Sequence, residues 1–174
     1  MAIYDFEGRV PRVAEDAYVS ETADVIGDVT IGSKCFIGPG AKIKGDYGKV
    51  IIGKYTSVQE NCIVHARPGE SCTVGERVNV GHGCILHGCT IKDNAVVGMG
   101  SVVSDFAVVG DWAVVGEGAV VRSKQEIPDG SIAVGVPAKI IGQVTNDYKV
   151  QWNEFKDIYV GLCERYRKGL KRIK

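Results

Sequence analysis

The stretch AVVGMGSVVSDFAVVGDWAVVGEGAVV, Ala95–Val121, carries a Val-Val pair at 96–97, 102–103, 108–109, 114–115 and 120–121. The second valine of each pair lies six residues from the next, and the series runs back through Ile91 and Ile85. Val13, Val19, Val25, Ile31, Ile37 and Ile43 keep the same spacing earlier in the chain. Two shorter runs, Ile52-Val58-Val64 and Val74-Val80-Leu86, keep it in between. Gly follows the repeating aliphatic at 32, 38, 53, 75, 81, 98, 110 and 116. A period of six fits neither an amphipathic helix nor a simple alternating strand. It fits an all-β solenoid, in which six residues make one short strand and a corner. Three such sides close a triangular coil of about 18 residues, and coils stack at the ordinary inter-strand spacing of about 4.8 Å. Residues 10–140 then make roughly seven coils.

Composition agrees. Valine (26) and isoleucine (16) far outnumber leucine (3), and there are 23 glycines in 174 residues. β-branched residues favour strands, whereas leucine is the usual core residue of helices. Lys+Arg and Asp+Glu are both 21, so no global field draws nucleic acid or an anionic membrane. No apolar run approaches the roughly 20 residues that span a bilayer. The acidic start, Met1-Ala2-Ile3-Tyr4-Asp5-Phe6-Glu7, lacks the basic-then-apolar design of a secretion signal, so a cytoplasmic location is expected. The six cysteines (35, 62, 72, 84, 89, 163) form no C-x-x-C pair and read as reduced, core-filling residues.

The rhythm slips in three places. Ile43 to Ile52 holds an extra turn around Gly45-Asp46-Tyr47-Gly48, and Val64 to Val74 holds Ala66-Arg67-Pro68-Gly69-Glu70. Between Val80 and Ile85 the step shortens by one. Insertions in a solenoid usually become loops on a functional face. A solenoid domain is therefore expected over 1–144. Helix logic follows over 145–174: Thr145 is a candidate N-cap, and Phe155, Ile158, Tyr159, Leu162, Tyr166 and Leu170 make an amphipathic stripe. This helix is expected to lie along the solenoid with its basic end in solvent.

The slips flank all three histidines, His65, His82 and His87. Three neutral imidazoles with an open fourth position make a hydrating or hydrolytic zinc site. Subtracting one 18-residue coil places His65 over position 83, so His82 falls one residue short and His87 four beyond. By strand parity His65 and His87 face the same way and His82 the other. His82 and His87 are also about 16 Å apart if extended, whereas ligand atoms on one zinc lie about 3.4 Å apart. A neighbouring subunit is expected to supply the odd ligand.

His65, Gly81-His82 and the His82-to-His87 spacing, within a repeat ending in Gly135-Val136-Pro137-Ala138-Lys139, resemble the gamma-class carbonic anhydrase family. Lys44-Gly45-Asp46 and Gln59-Glu60-Asn61 extend the resemblance across essentially the whole chain. It implies a left-handed parallel β-helix, an exception to the right-handed crossover rule, and a homotrimer with metal sites between subunits. It further implies that His65, His82 and His87 hold zinc, or iron, cobalt or nickel, since imidazole suits each. The small-molecule reaction implied is reversible hydration of carbon dioxide by hydroxide generated on the metal. Gln59 would orient water or substrate, Asp46 would pair with a basic group across the interface, and Tyr159 would line the site. Lys44 stands where the family usually has Arg, and Ser57 where it commonly has Asn. With no fourth histidine to relay protons, hydration is expected to be slow in dilute buffer. The hexapeptide rhythm is also shared by coenzyme A-dependent acyltransferases, which generally use a single histidine base. An inactive metal-binding trimer and a metal-assisted thioesterase are further alternatives.

Overall fold

The computed structural model describes residues 2–174. They form a left-handed parallel β-solenoid of about seven turns with a single C-terminal helix. Tyr18–Val19, Phe36–Ile37, Ser57–Val58, Asn79–Val80, Val96–Val97, Val114–Val115 and Ser131–Val134 stack as one face, and the helix packs on its first three strands. A second face holds the first halves of Asp24–Ile31 and Lys42–Ile52, then Ile63–His65, Ile85–His87, Val102–Val103 and Val120–Val121. The second halves of the two long strands continue into the third face, with Ser71–Val74, Thr90–Ile91, Val108–Val109 and Glu126–Ile127. All these pairings are parallel, and the antiparallel strand Lys139–Gln143 closes the stack against Ser131–Val134.

The six-residue aliphatics point inward. Val25, Ile43, Val64, Leu86, Val103 and Val121 make one fully buried column, and Ile31, Ile52, Val74, Ile91, Val109 and Ile127 another. Each such side chain contributes about 1.5–3 kcal/mol when buried, but only once the next coil covers it, so the stack stabilises cooperatively. All six cysteines are free and buried, and the sulfurs of Cys72 and Cys89 lie 3.9 Å apart on adjacent coils.

The slips resolve differently from one another. Ala66–Glu70 is a loop, as its Pro-Gly predicts. The expected turn at Gly45–Gly48 is instead a bulge inside the continuous strand Lys42–Ile52. Asp24–Gly27 pair with Lys42–Gly45, and pairing resumes at Val29 with Val50. The two strands approach so closely there that a Cβ on Gly45 would lie 2.3 Å from the Asp28 carbonyl oxygen.

The helix spans Asn146–Gly169, capped by Thr145, whose hydroxyl accepts the Tyr148 amide at 3.2 Å. It ends before residue 174, the Leu170 amide bonding back to Tyr166. Its docking face keeps half of the expected stripe and is rotated from the rest: Tyr159, Leu162 and Tyr166 pack on the solenoid beside buried Lys156 and Cys163, while Phe155, Ile158 and Leu170 are exposed. The helix rides along one corner of the solenoid, where Lys34, Tyr55, Arg77, Asn94 and Trp112 all take positive φ. Cys163 bonds the Lys34 carbonyl, Asp157 pairs with Arg77, and Lys156 reaches Asn94. Tyr159 and Tyr166 pack edge-on to Phe36, which stacks on Tyr18 at 5.3 Å. Thr145→Ala should lower stability by about 1 kcal/mol, read as a melting temperature lower by a few degrees. An unshifted melt would show that the cap contributes nothing. No helix among the described residues is long and apolar enough to cross a membrane.

Candidate functional site

The eight residues singled out by sequence divide into two clusters. His65, His87, Asp46 and Lys44 gather on the second face. The strands Ile63–His65 and Ile85–His87 pair so that His65 and His87 are register partners, with ring centroids 5.1 Å apart. Parity foresaw that the two face the same way but not that they pair, because the coil between them holds 22 residues rather than 18, lengthened by the loop at 66–70. His65 therefore overlies position 87 and not 83.

Each of these imidazoles is braced on one nitrogen by a carboxylate. Asp46 Oδ1 is 2.8 Å from His65 Nε2, and its Oδ2 takes Lys44 Nζ at 2.9 Å. Asp46 is thus paired within the chain with a lysine and a histidine. Burial pushes the Asp46 carboxyl up, but the Lys44 and His65 contacts outweigh it and hold it below its ordinary value. Asp105 does the same for His87, Oδ1 to Nδ1 at 2.6 Å, while Arg67 takes Oδ2 at 2.9 Å. Its carboxyl is likewise raised by burial and then brought lower overall by His87 and Arg67. Asp105 was not foreseen, although it lies one 18-residue coil beyond His87 and repeat arithmetic could have found it.

His82 stands apart. It follows Asn79–Val80 at the corner Gly81-His82-Gly83, and its Nδ1 is 2.5 Å from Glu60 Oε2 on the coil below. Gly81 is required there, since a Cβ would sit 2.8 Å from the Met99 amide nitrogen on the coil above. Among the described residues, no group of three His, Cys, Asp or Glu side chains within the chain could hold a metal ion. His82 instead forms part of the wall of a cavity of about 310 Å³ between the helix and the solenoid. Gln59, Asn79 and Tyr159 share that wall with Val96, Val114, Met99, Trp152 and Phe155. Gln59 and Asn79 are buried. Ser57 is also buried, its hydroxyl donating to Asn79 Oδ1 at 3.2 Å, so it engages the Asn79 oxygen and not its amide N–H groups. Burial pushes the Tyr159 phenol up, and the Glu60 charge adds to this.

Residues 88–123 match the model of the bacterial transferase hexapeptide (six repeats). The carnitine operon protein CaiE of Salmonella newport is 40% identical over 175 residues, covering 100% of this chain and 88% of that protein. A candidate acetyltransferase of Bacillus cereus superposes with a TM-score of 0.93 at 34% identity, covering 95% of this chain and 96% of that one. A hexapeptide transferase family protein of Anaplasma phagocytophilum gives 0.91 at 32%, covering 95% and 98%. With the repeat running the length of the solenoid and the whole of this chain matched to CaiE, this chain belongs to the CaiE-like hexapeptide-repeat transferase family.

Proposed function

We propose that this protein transfers an acyl group from an acyl-coenzyme A thioester to a hydroxyl or amine acceptor, with His82 as general base. The observation that carries the reading is the His82–Glu60 pair opening onto the cavity under the helix. Glu60 accepts a hydrogen bond from Nδ1–H and so leaves the Nε2 lone pair of His82 free to act as a base. His82 takes the acceptor's proton while its oxygen or nitrogen bonds to the thioester carbon. The carbon–sulfur bond then breaks, and the departing sulfur receives that proton from His82. The amide N–H groups of Asn79 and Gln59 are suited to the negative charge that builds on the carbonyl oxygen. Family membership and the likeness to a candidate acetyltransferase support the reading. The test is thiol release from acyl-coenzyme A with a panel of amines and alcohols. Acceptor-dependent release is expected; release independent of acceptor would mean hydrolysis, and none at all would overturn acyl chemistry.

A second reading, metal-dependent hydration of carbon dioxide, is favoured by the other cluster. Two in-register imidazoles, each braced by a carboxylate on one nitrogen, leave His65 Nδ1 and His87 Nε2 open, which is how metal-binding histidines are commonly supported. The donor set therefore fits a divalent metal, zinc or else iron, cobalt or nickel, provided His82 of a neighbouring copy in a homotrimer completes it. Such a metal would act as a Lewis acid and acidify water towards neutrality. Lys44 and Arg67 hold the two carboxylates, while Gln59 and Tyr159 would orient substrate. Elemental analysis of the trimer should then find about one metal per chain, lost in His65→Ala and His87→Ala. A metal-free protein, or a monomer with a full metal load, would overturn this reading. The two readings separate cleanly, because His65→Ala should leave acyl transfer in place.

A further inference from the structure

We infer that the cavity under the helix receives the acyl tail of the substrate, and that the acyl groups transferred are uncharged, apolar and of medium length, about hexanoyl to octanoyl or an arylacetyl equivalent. The inference rests on the acyl-transfer reading above and names its substrate class.

The cavity mixes two chemistries: Gln59, Asn79 and His82 on the lower coils bring polar groups, while Val96, Val114, Trp152 and Phe155 bring apolar wall, with Glu117 and two tyrosines beside them. Its volume of about 310 Å³ lies at the lower edge of the range for small-molecule sites. An acetyl group would leave most of that space unfilled, and an unfilled apolar wall forfeits its dispersion contacts. A palmitoyl chain would outgrow it. Trp152 and Phe155 lie with ring centroids 5.7 Å apart, tilted by 56°, and present aromatic surface to which a chain or a ring can pack.

Charge narrows the class further. Among the described residues lining the cavity there is no lysine or arginine, and Glu117 stands exposed on its wall. A tail ending in carboxylate would be repelled there, and the phosphates of coenzyme A would find no partner. The cofactor must therefore remain outside while the acyl end enters. The thioester carbonyl then stops beside His82, Asn79 and Gln59, which is where the acyl-transfer reading needs it.

The experiment has a kinetic and a binding arm. In the first, kcat/KM for thiol release is measured with acetyl-, butyryl-, hexanoyl-, octanoyl-, palmitoyl- and phenylacetyl-coenzyme A. A rise of up to about four-fold per methylene is expected from acetyl to hexanoyl, with a fall at palmitoyl. Phe155→Ala, which enlarges the cavity, should move the optimum to longer chains, and Val114→Phe, which fills it, to shorter ones. Misfolding cannot produce opposite shifts. A flat profile, or acetyl as the best donor, would overturn the cavity's role while leaving acyl transfer standing. The second arm titrates His82→Asn with octanoyl-coenzyme A and with coenzyme A by calorimetry, so that no turnover intervenes. At least ten-fold tighter binding of octanoyl-coenzyme A is expected, and Val114→Phe in the same background should erase the difference. Equal affinities would overturn the inference. Tighter octanoyl-coenzyme A binding with no thiol release by the parent protein would uphold the cavity and overturn acyl transfer.

Discussion

His82→Asn should lower kcat for acyl transfer by about 10²–10⁴-fold with KM little changed. Asparagine keeps a donor facing Glu60 and approximates the size of the imidazole, but it has no lone pair of comparable basicity to take the acceptor's proton. The loss therefore falls on the transition state and not on substrate binding. Glu60→Gln should act in the same direction and more weakly, because it removes the carboxylate that fixes the His82 tautomer at 2.5 Å without removing the base. His65→Asn and His87→Asn serve as controls, since their rings meet each other on the second face and do not line the cavity. A His82→Asn protein with native circular dichroism and parental turnover would remove His82 from the chemistry. Equal losses in all three histidine variants would instead favour a shared metal centre.

The solenoid was legible because its signal is translational. A six-residue period repeated along most of the chain admits one architecture, and the buried columns through Val64, Leu86 and Val103 are the residues that the period selects. The shared facing of His65 and His87 was legible through parity, and their pairing was not. The coil between them is four residues longer than the standard one, and an even insertion preserves which side a residue faces while moving its neighbour. That is why the direction was right and the overlying position wrong.

The carboxylates were partly legible. Glu60 lies 22 residues before His82 and Asp105 lies 18 after His87, each one local coil away, so stacking arithmetic on the correct coil length would have paired both. The cavity was not legible. It exists only because the helix docks along a corner, and the direction of docking depends on groups that carry no periodic signal. The expected stripe put Phe155, Ile158 and Leu170 inward on hydrophobicity alone. The corner instead offers the Asn94 carbonyl, the Arg77 guanidinium and the Trp112 ring, which turn Asn153, Lys156 and Asp157 towards the solenoid. Polar docking groups thus rotate the helix about its stripe, so that Tyr159, Leu162 and Tyr166 still pack on Tyr18 and Phe36 while Ile158 and Leu170 turn outward.

The same corner sets the last expectation, a pH-dependent hold on the helix. Lys156 is fully buried, its Nζ donating to the Asn94 carbonyl at 2.5 Å and lying 4.4 Å from the centre of the Trp112 ring. Burial pushes its ammonium down from 10.5 to about 7, the Arg77 charge adds to this, and Asp111 opposes it. The folded value lies below the unfolded one, so between them the unfolded chain binds the extra proton. The stability linked to this group is therefore complete above pH 10.5, is lost as pH falls towards 7, and changes no further below. Each unit of difference corresponds to about 1.4 kcal/mol, and the Trp112 ring retains part of the charged form. Between pH 7 and 9.5 the parent should accordingly gain up to about 3 kcal/mol relative to Lys156→Met. Thermal melts at the two pH values read this as a double difference, which cancels the titration of other lysines, tyrosines and cysteines. The melting temperature of Lys156→Met relative to the parent should fall by roughly 6–12 °C as pH rises from 7 to 9.5. Parallel pH profiles would show that Lys156 keeps its proton throughout, held by the Asn94 carbonyl and the Trp112 ring strongly enough to offset its burial.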